Sequence, residues 1–189
     1  MIQQLSETAE IRPGFQFRGA VEADPNGNAL AVQIKDLTED FALRGEGITR
    51  VRVEKWEPYA VQGGDVLFLA RGYRFGAAVV SGLPLQTIAS SVFFVLRPRP
   101  EVLPEFLRWT LNSRAFGQQV RPLVRGSHMP LLSRRDLDDI FIPVPEIETQ
   151  RQIVALHELQ TGETKLIAEL AQKRAALTEA ICLRAAQNR

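Results

Sequence analysis

The order of apolar and polar positions divides the chain into a body of short strands and a long helical tail. Apolar runs bounded by glycine or proline predict strands at 66–70, 77–80, 90–96 and 140–142. Apolar and polar residues alternate over 30–37 and 48–53, which predicts two further strands and puts Arg50 and Arg52 on one face. The predicted fold class is therefore mixed α/β, with a mainly antiparallel sheet followed by a helical tail.

Two helical segments are predicted within the body. Residues 104–117 have an amphipathic pattern that predicts one helix, with Phe106, Leu111 and Phe116 near one side. Ser133 comes directly before a short charged segment and predicts an N-cap there, because a serine hydroxyl accepts a bond from a free amide of the first turn.

The boundary between body and tail is predicted at Pro143 and Pro145, because proline continues neither a strand ladder nor a helix interior. We expect a domain over 1–145 and a helix over 146–189. The tail has an imperfect heptad repeat, whose apolar positions are Ile153, Leu156, Ile167, Leu170, Leu177 and Ile181.

Two arrangements of the tail are open. A continuous helix would be about 60 Å long, and it would need a partner helix to cover its apolar stripe. A helix broken near Gly162 would instead fold back onto its own domain as a hairpin. The imperfect heptad pattern favours a partner, either another chain or a second copy.

The net charge is only +1, but the charge is segregated along the 189 residues. The charge is −4 over 1–43, +8 over 44–135 and −3 over 136–189. Nineteen of the 23 basic residues are arginine, which suits bidentate binding of phosphate and guanine edges. A basic middle between acidic ends favours a polyanion partner, although a plain solvated surface would also have this composition.

No pattern of catalytic residues is found. The chain has no P-loop, no Gly-x-Ser-x-Gly and no dinucleotide-binding Gly-x-Gly-x-x-Gly. His128 and His157 are too few for a metal site, and Asp136, Asp138 and Asp139 read as a solvated helix end. We therefore expect a binding protein rather than an enzyme, with no metal or cofactor.

The expected compartment is the cytoplasm. A single cysteine, Cys182, excludes an intramolecular disulfide and fits a reducing compartment. The first residues have neither a basic segment nor an apolar run, so no signal peptide is expected. No stretch of about 18 apolar residues is present, so no membrane partner is expected.

Six short motifs follow one another in a distinctive order. They lie at residues 31–37, 63–72, 90–98, 104–113, 126–137 and 140–153. The second is Gly-Gly-Asp-Val-Leu-Phe-Leu-Ala-Arg-Gly, and the last runs from Ile-Phe-Ile-Pro-Val-Pro into Gln-Arg-Gln-Ile. In this order they resemble the target-recognition half of the specificity subunits of type I restriction–modification systems, from about residue 14 to the end.

The resemblance implies a non-catalytic subunit that selects sites in double-stranded DNA. In that family an adenine methyltransferase subunit binds the helices and modifies the DNA, and a motor-nuclease subunit can join them. Family members usually contain two recognition domains and two long helices, whereas this sequence has one of each. The resemblance therefore implies a half-subunit that pairs as a homodimer on a bipartite palindrome.

Nine residues are predicted to contact DNA. The candidate base readers are Arg71, Tyr73, Arg74, Arg125, Ser127 and His128, and the candidate phosphate contacts are Arg50, Arg52 and Arg97. Tyr73 and His128 have alternative structural roles, in packing and in a turn. Arg71 and Arg74 have an alternative role as phosphate contacts.

Two other functions are open at this point. A stand-alone DNA-binding regulator or decoy would use the same fold without a methyltransferase. A helical scaffold whose body recognises protein would belong to another class, and the segregated charge argues against it.

Overall fold

The computed structural model describes residues 1–126 and 130–187. It contains two units, Met1–Arg151 and Gln152–Arg189. The strands of the described residues are β1 (Ile2–Gln4), β2 (Ala9–Pro13), β3 (Ala29–Val32), β4 (Thr49–Val51), β5 (Val66–Leu69), β6 (Gly76–Val79), β7 (Thr87–Ala89), β8 (Phe93–Pro98) and β9 (Phe141–Pro143). The helices are α1 (Leu5–Thr8), α2 (Pro104–Leu111), α3 (Arg114–Val120), α4 (Arg134–Asp138) and α5 (Ile147–Gln187).

The central element of the first unit is a four-stranded antiparallel sheet in the order β2-β8-β5-β6. All four residues of β5 are buried, as expected for an apolar strand with a paired neighbour on each side. A second sheet has the order β4-β3-β7, and β1 pairs with β9. Among the strands of the described residues, β3 and β7 are the one pair that runs in parallel, so the predicted mixed α/β fold with a mainly antiparallel sheet is confirmed.

The strands predicted at 66–70 and 77–80 form the hairpin β5–β6, in which Phe68 lies opposite Ala77. The strand predicted at 30–37 is shorter, because the chain leaves β3 after Val32. A 3₁₀ turn follows at Ile34–Asp36, where the Asp36 carboxylate accepts a bond of 2.8 Å from the Gln33 amide. The short strand β7 was not predicted, and its parallel partner β3 is more than 50 residues away in the sequence.

The single helix predicted over 104–117 is wrong. The structure has α2 and α3 instead, and the helical hydrogen bonds are interrupted between them. The Ser113 side chain begins α3 by accepting a bond of 3.1 Å from the Phe116 amide. By contrast, Ser133 caps α4 as predicted, through the Asp136 amide.

The tail is one continuous helix, α5, of 41 residues. It passes through Gly162 without interruption, so a hairpin with its turn at this glycine does not form. At about 1.5 Å per residue the helix is roughly 60 Å long. No helix in residues 1–126 and 130–187 combines the length and the apolar character needed to cross a membrane.

Candidate nucleic-acid interface

Two predicted reading segments meet at the end of β5. We call residues 70–75 the Arg71 loop, and residues 124–126 with 130–132 the Arg125 segment. The Gly72 amide donates to the Pro130 carbonyl at 2.9 Å, and the Leu132 amide donates to the Ala70 carbonyl at 3.0 Å. Leu131 forms bridges with both Arg71 and Arg125. Candidate residues more than 50 positions apart in the sequence therefore lie on one surface.

Tyr73 lies at the tip of the Arg71 loop and is 79% exposed. It lines two cavities. The larger has a volume of about 500 Å³ and also contains Phe75, Phe116 and Arg121 in its wall. The smaller, about 360 Å³, includes Arg71, which is half-buried.

The guanidinium of Arg74 is held by the segment that follows β3. It donates a hydrogen bond to the Glu39 carbonyl and lies over the Phe41 ring, 4.9 Å from the ring centroid. Phe41 has a positive φ of 58°. Its ring covers the position that a Cβ atom on Gly76 would occupy, so a side chain at residue 76 would displace the ring. These contacts hold the Arg74 guanidinium in one orientation before any DNA is bound.

Arg125 is 80% exposed and stands 3.5 Å from the Asp136 carboxylate at the start of α4. The Ser133 hydroxyl also donates to that carboxylate. Ser127 and His128, the other candidates of this segment, lie outside the described residues. Four of the six candidate readers are therefore described, and all four belong to the two segments that meet. In the described part of the chain, no group of acidic residues, histidine and cysteine is arranged to hold a metal ion.

A family model described as "Type I restriction modification DNA specificity domain" matches residues 2–173. The chain belongs to this family. The predicted resemblance is therefore confirmed. No curated protein matches the chain.

Three solved structures share the fold of this specificity domain. A chain from a study of complex assembly and conformational transition of the type I R-M system matches with a TM-score of 0.69 and 24% identity. The HsdS subunit from Thermoanaerobacter tengcongensis has a TM-score of 0.63 and 22% identity, and the S subunit from M. genitalium has 0.58 and 13%.

The specificity domain spans less than half of each of these solved chains. The matches cover 95%, 88% and 90% of this chain, but 43%, 38% and 41% of the other chains, in the same order. At these identities the likeness establishes the fold alone and assigns a DNA contact to none of this chain's residues.

The three candidate phosphate contacts of the specificity domain all have partners within the body. Arg50 donates to the Gly27 carbonyl at 3.3 Å. Arg52 pairs with the Asp24 carboxylate at 2.8 Å and donates to the Asn26 carbonyl. The pKa of Asp24 is lowered, first by its bond from the Asn26 amide and then by Arg52. These contacts fix the turn before β3, and the phosphate role of both arginines stays a prediction.

Arg97 lies at the far end of the four-stranded sheet from the Arg71 loop. Val66, the first residue of β5, is opposite Leu96, whereas the loop leaves the last residue, Leu69. Arg97 binds Asp65 through two bonds of 2.9 Å each, and these bonds raise the pKa of the arginine. Its phosphate contact also stays a prediction, but the structure gives it a different partner.

Arg121 also belongs to this surface, and the sequence did not indicate it as a candidate. It lines the larger cavity together with Tyr73 and Pro130 and is exposed. Its sequence signal is an Arg-Pro pair four residues after the predicted amphipathic segment, and such a pair is too common to indicate a contact.

The predicted partner residues lie on α5. Leu156, Ile167, Leu170, Leu177 and Ile181 are each at least half exposed, and Ile153 is half-buried. The four residues from Ile167 to Ile181 recur at intervals of three, seven and four, so they share one face of the helix. Their contact with a partner stays a prediction.

Proposed function

We propose that this chain is the sequence-specific DNA-recognition subunit of a type I restriction–modification complex. The observation that carries the proposal is the meeting of the Arg71 loop and the Arg125 segment at one end of the central sheet. This meeting puts Arg71, Tyr73, Arg74 and Arg125 on a single surface of a specificity domain. Loops of this kind fit the major groove, where arginine binds guanine O6 and N7.

In this proposal the two parts of the chain have different roles, and the distribution of charge and the two units support this assignment. Residues 1–145, which include the basic stretch from 44 to 135, bind double-stranded DNA. Residues 146–189 bind partner helices. The chain selects the site and does no chemistry. An adenine methyltransferase subunit modifies the selected site in the cytoplasm, and a motor-nuclease subunit joins the complex where cleavage occurs.

The chain acts in this proposal as a homodimer of half-subunits. The support for it is α5, which exposes an apolar face that it cannot cover alone. Two copies related by a two-fold axis place two recognition domains on two half-sites. The recognised site is then a bipartite palindrome.

The test is methylome sequencing of cells that express an adenine methyltransferase subunit of a type I system from the same source, with and without the chain. We expect N6-methyladenine at a bipartite palindromic motif that appears only when the chain is present. An asymmetric motif would contradict the homodimer and indicate that this chain pairs with a different half-subunit. An active methyltransferase that gains no motif would overturn the proposed function and favour a stand-alone regulator or decoy.

A further inference from the structure

We propose that Arg121 is a further DNA contact of this specificity domain, and that it binds a backbone phosphate beside the groove that the Arg71 loop enters. The inference rests on the proposed function in DNA recognition. It deepens that function, because it adds a positioning contact in the larger of the two cavities that Tyr73 lines, whereas Arg71 and Arg74 line the smaller one.

The Arg121 side chain is exposed, and its guanidinium is available to a ligand. It begins the 3₁₀ turn Arg121–Leu123, where its own amide donates to the Gly117 carbonyl. Within residues 1–126 and 130–187 its side chain forms no hydrogen bond or ion pair, whereas Arg74, Arg97 and Arg125 all have partners. It is also the only charged residue among the described residues that line the larger cavity, so no carboxylate there competes with a phosphate.

The backbone that carries Arg121 is fixed relative to the Arg71 loop at both ends of that loop. Before the loop, the Phe68 ring on β5 packs edge-on against the Phe116 ring on α3, with centroids 5.8 Å apart. After the loop, Asn112 binds both the amide and the carbonyl of Ala77 on β6, at 2.7 and 2.9 Å. Pro122 further restricts the turn after α3. The guanidinium therefore projects from a rigid support.

The position of Arg121 favours a phosphate rather than a base. Tyr73 and Arg121 line the same open cavity of about 500 Å³, so the guanidinium lies beside the Arg71 loop and does not belong to it. With the Arg71 loop inside the major groove, an arginine beside the loop faces the groove wall, where the phosphates lie. A guanidinium without an orienting partner also suits a point contact, unlike Arg74, which is held in one orientation.

The test measures the affinity of the full chain, with its methyltransferase, for mixed-sequence DNA duplexes as a function of salt. The variants are Arg121→Ala and Arg121→Lys. The matched control is Arg99→Ala, which also removes one exposed arginine that has no partner in the described residues. Arg99 follows β8 at the far end of the sheet from the Arg71 loop.

We expect Arg121→Ala to weaken binding to all sequences alike. Loss of one phosphate contact should reduce the slope of log affinity against log salt by about 0.9. The advantage of the unsubstituted chain should then shrink roughly threefold between about 50 and 200 mM salt. Arg121→Lys should retain most of the affinity, because an ammonium group also binds phosphate. Arg99→Ala should bind like the unsubstituted chain.

Three results would overturn the inference while leaving the proposed function intact. They are equal affinity of Arg121→Ala and the unsubstituted chain, an equal loss for Arg99→Ala, and a loss confined to one base pair of the target. The last would make Arg121 a base reader. If the unsubstituted chain binds no DNA, alone or with its methyltransferase, the proposed function itself fails and the inference fails with it.

Discussion

Arg97 binds Asp65 in a bidentate ion pair, with Nε and Nη2 each 2.9 Å from a carboxylate oxygen. Asp65 is 1% exposed and also accepts a bond of 3.0 Å from the Gln62 amide. A second guanidinium, that of Arg12, stands 3.8 Å away and donates to the carbonyls of Pro58 and Ala60. The pKa of Arg12 is lowered, mainly by burial. Asp65 thus connects β2, β8 and the turn before β5.

Substitution of Asp65 should destabilise the fold. In Asp65→Ala the guanidinium of Arg97 loses its partner, and the half-buried charge of Arg12 loses the carboxylate beside it. Removing one partner of a buried pair costs about 3–5 kcal/mol, and the partial exposure of Arg97 reduces this to roughly 2–3 kcal/mol. Urea denaturation followed by circular dichroism measures the change in the free energy of unfolding.

The matched control for Asp65 is Asp24→Asn, which removes the carboxylate of an exposed arginine pair. We expect its denaturation midpoint to fall much less than that of Asp65→Ala, because exposed pairs contribute little. If the midpoint of Asp65→Ala falls no further than that of Asp24→Asn, the buried ion pair does not stabilise the sheet.

Asn112 continues the ladder of the edge strand β6. Its side-chain amide binds both polar backbone groups of Ala77, as a neighbouring strand would. Asn112→Ala leaves that amide and carbonyl without partners, so we expect the free energy of unfolding to fall by about 1–3 kcal/mol. DNA affinity should fall as well, because β6 begins where the Arg71 loop ends.

Asn28 provides the comparison for this second effect. It binds the amide and the carbonyl of Val53 in the same way, at 2.9 and 2.8 Å. Asn28→Ala should therefore lower stability by a similar amount, but it should change DNA affinity less, since it does not touch the Arg71 loop. Equal DNA affinities for the two variants would contradict a coupling between Asn112 and the loop.

Arg74 should read one base of the target. Its guanidinium is oriented by the Glu39 carbonyl and the Phe41 ring, and a fixed planar fork suits a guanine edge. Arg74→Ala should cost about 1–3 kcal/mol of binding free energy at one position. In the methylome, the motif should become degenerate at one base in each half-site.

Two further variants separate base reading from phosphate binding at Arg74. Arg74→Lys should not restore the motif, because an ammonium group cannot form the bidentate contact. Phe41→Leu keeps an apolar cover over Gly76 but removes the aromatic face, and it should relax the same base more weakly. If Arg74→Ala weakens all sequences equally instead, the residue is a phosphate contact.

Whether a sequence prediction was correct depended on how far apart in the sequence the interacting residues lie. The hairpin β5–β6 was predictable because its apolar runs and its turn are local in the sequence. The break between α2 and α3 was not predictable from the apolar pattern, because the apolar spacing of one helix continues to Phe116. The break arises instead from the Ser113 side chain, which binds a backbone amide and begins a new helix. The role of Arg97 depends on Asp65, 32 residues away, and on pairing between strands that no local pattern encodes. The sequence did not indicate Arg121 for the same reason, because only the fold brings it to one cavity with Tyr73.

The exposed apolar face of α5 yields the last prediction. Leu170 is 51% exposed on a face that it shares with Ile167 and Leu177. If this face joins two copies, Leu170→Glu puts a carboxylate in the interface and removes the burial of one leucine from each copy. The dissociation constant of the homodimer should rise by about 100-fold or more, since a buried leucine contributes roughly 2–3 kcal/mol. Glutamate is as good a helix former as leucine, so any loss of helical signal in far-UV circular dichroism reports the loss of the partner helix and not the substitution itself.

Sedimentation velocity at micromolar concentration measures this change, and Gln172→Glu is the control. At 100° per residue, Gln172 lies on nearly the opposite side of the helix from Leu170 and receives the same added charge. We expect a dimer for the unsubstituted chain and for Gln172→Glu, and a monomer for Leu170→Glu. A dimer that persists in Leu170→Glu would place the interface on another surface. If the unsubstituted chain is a monomer, both free and in complex with the methyltransferase, the proposed homodimer is wrong. DNA recognition by the first unit would then need a separate test.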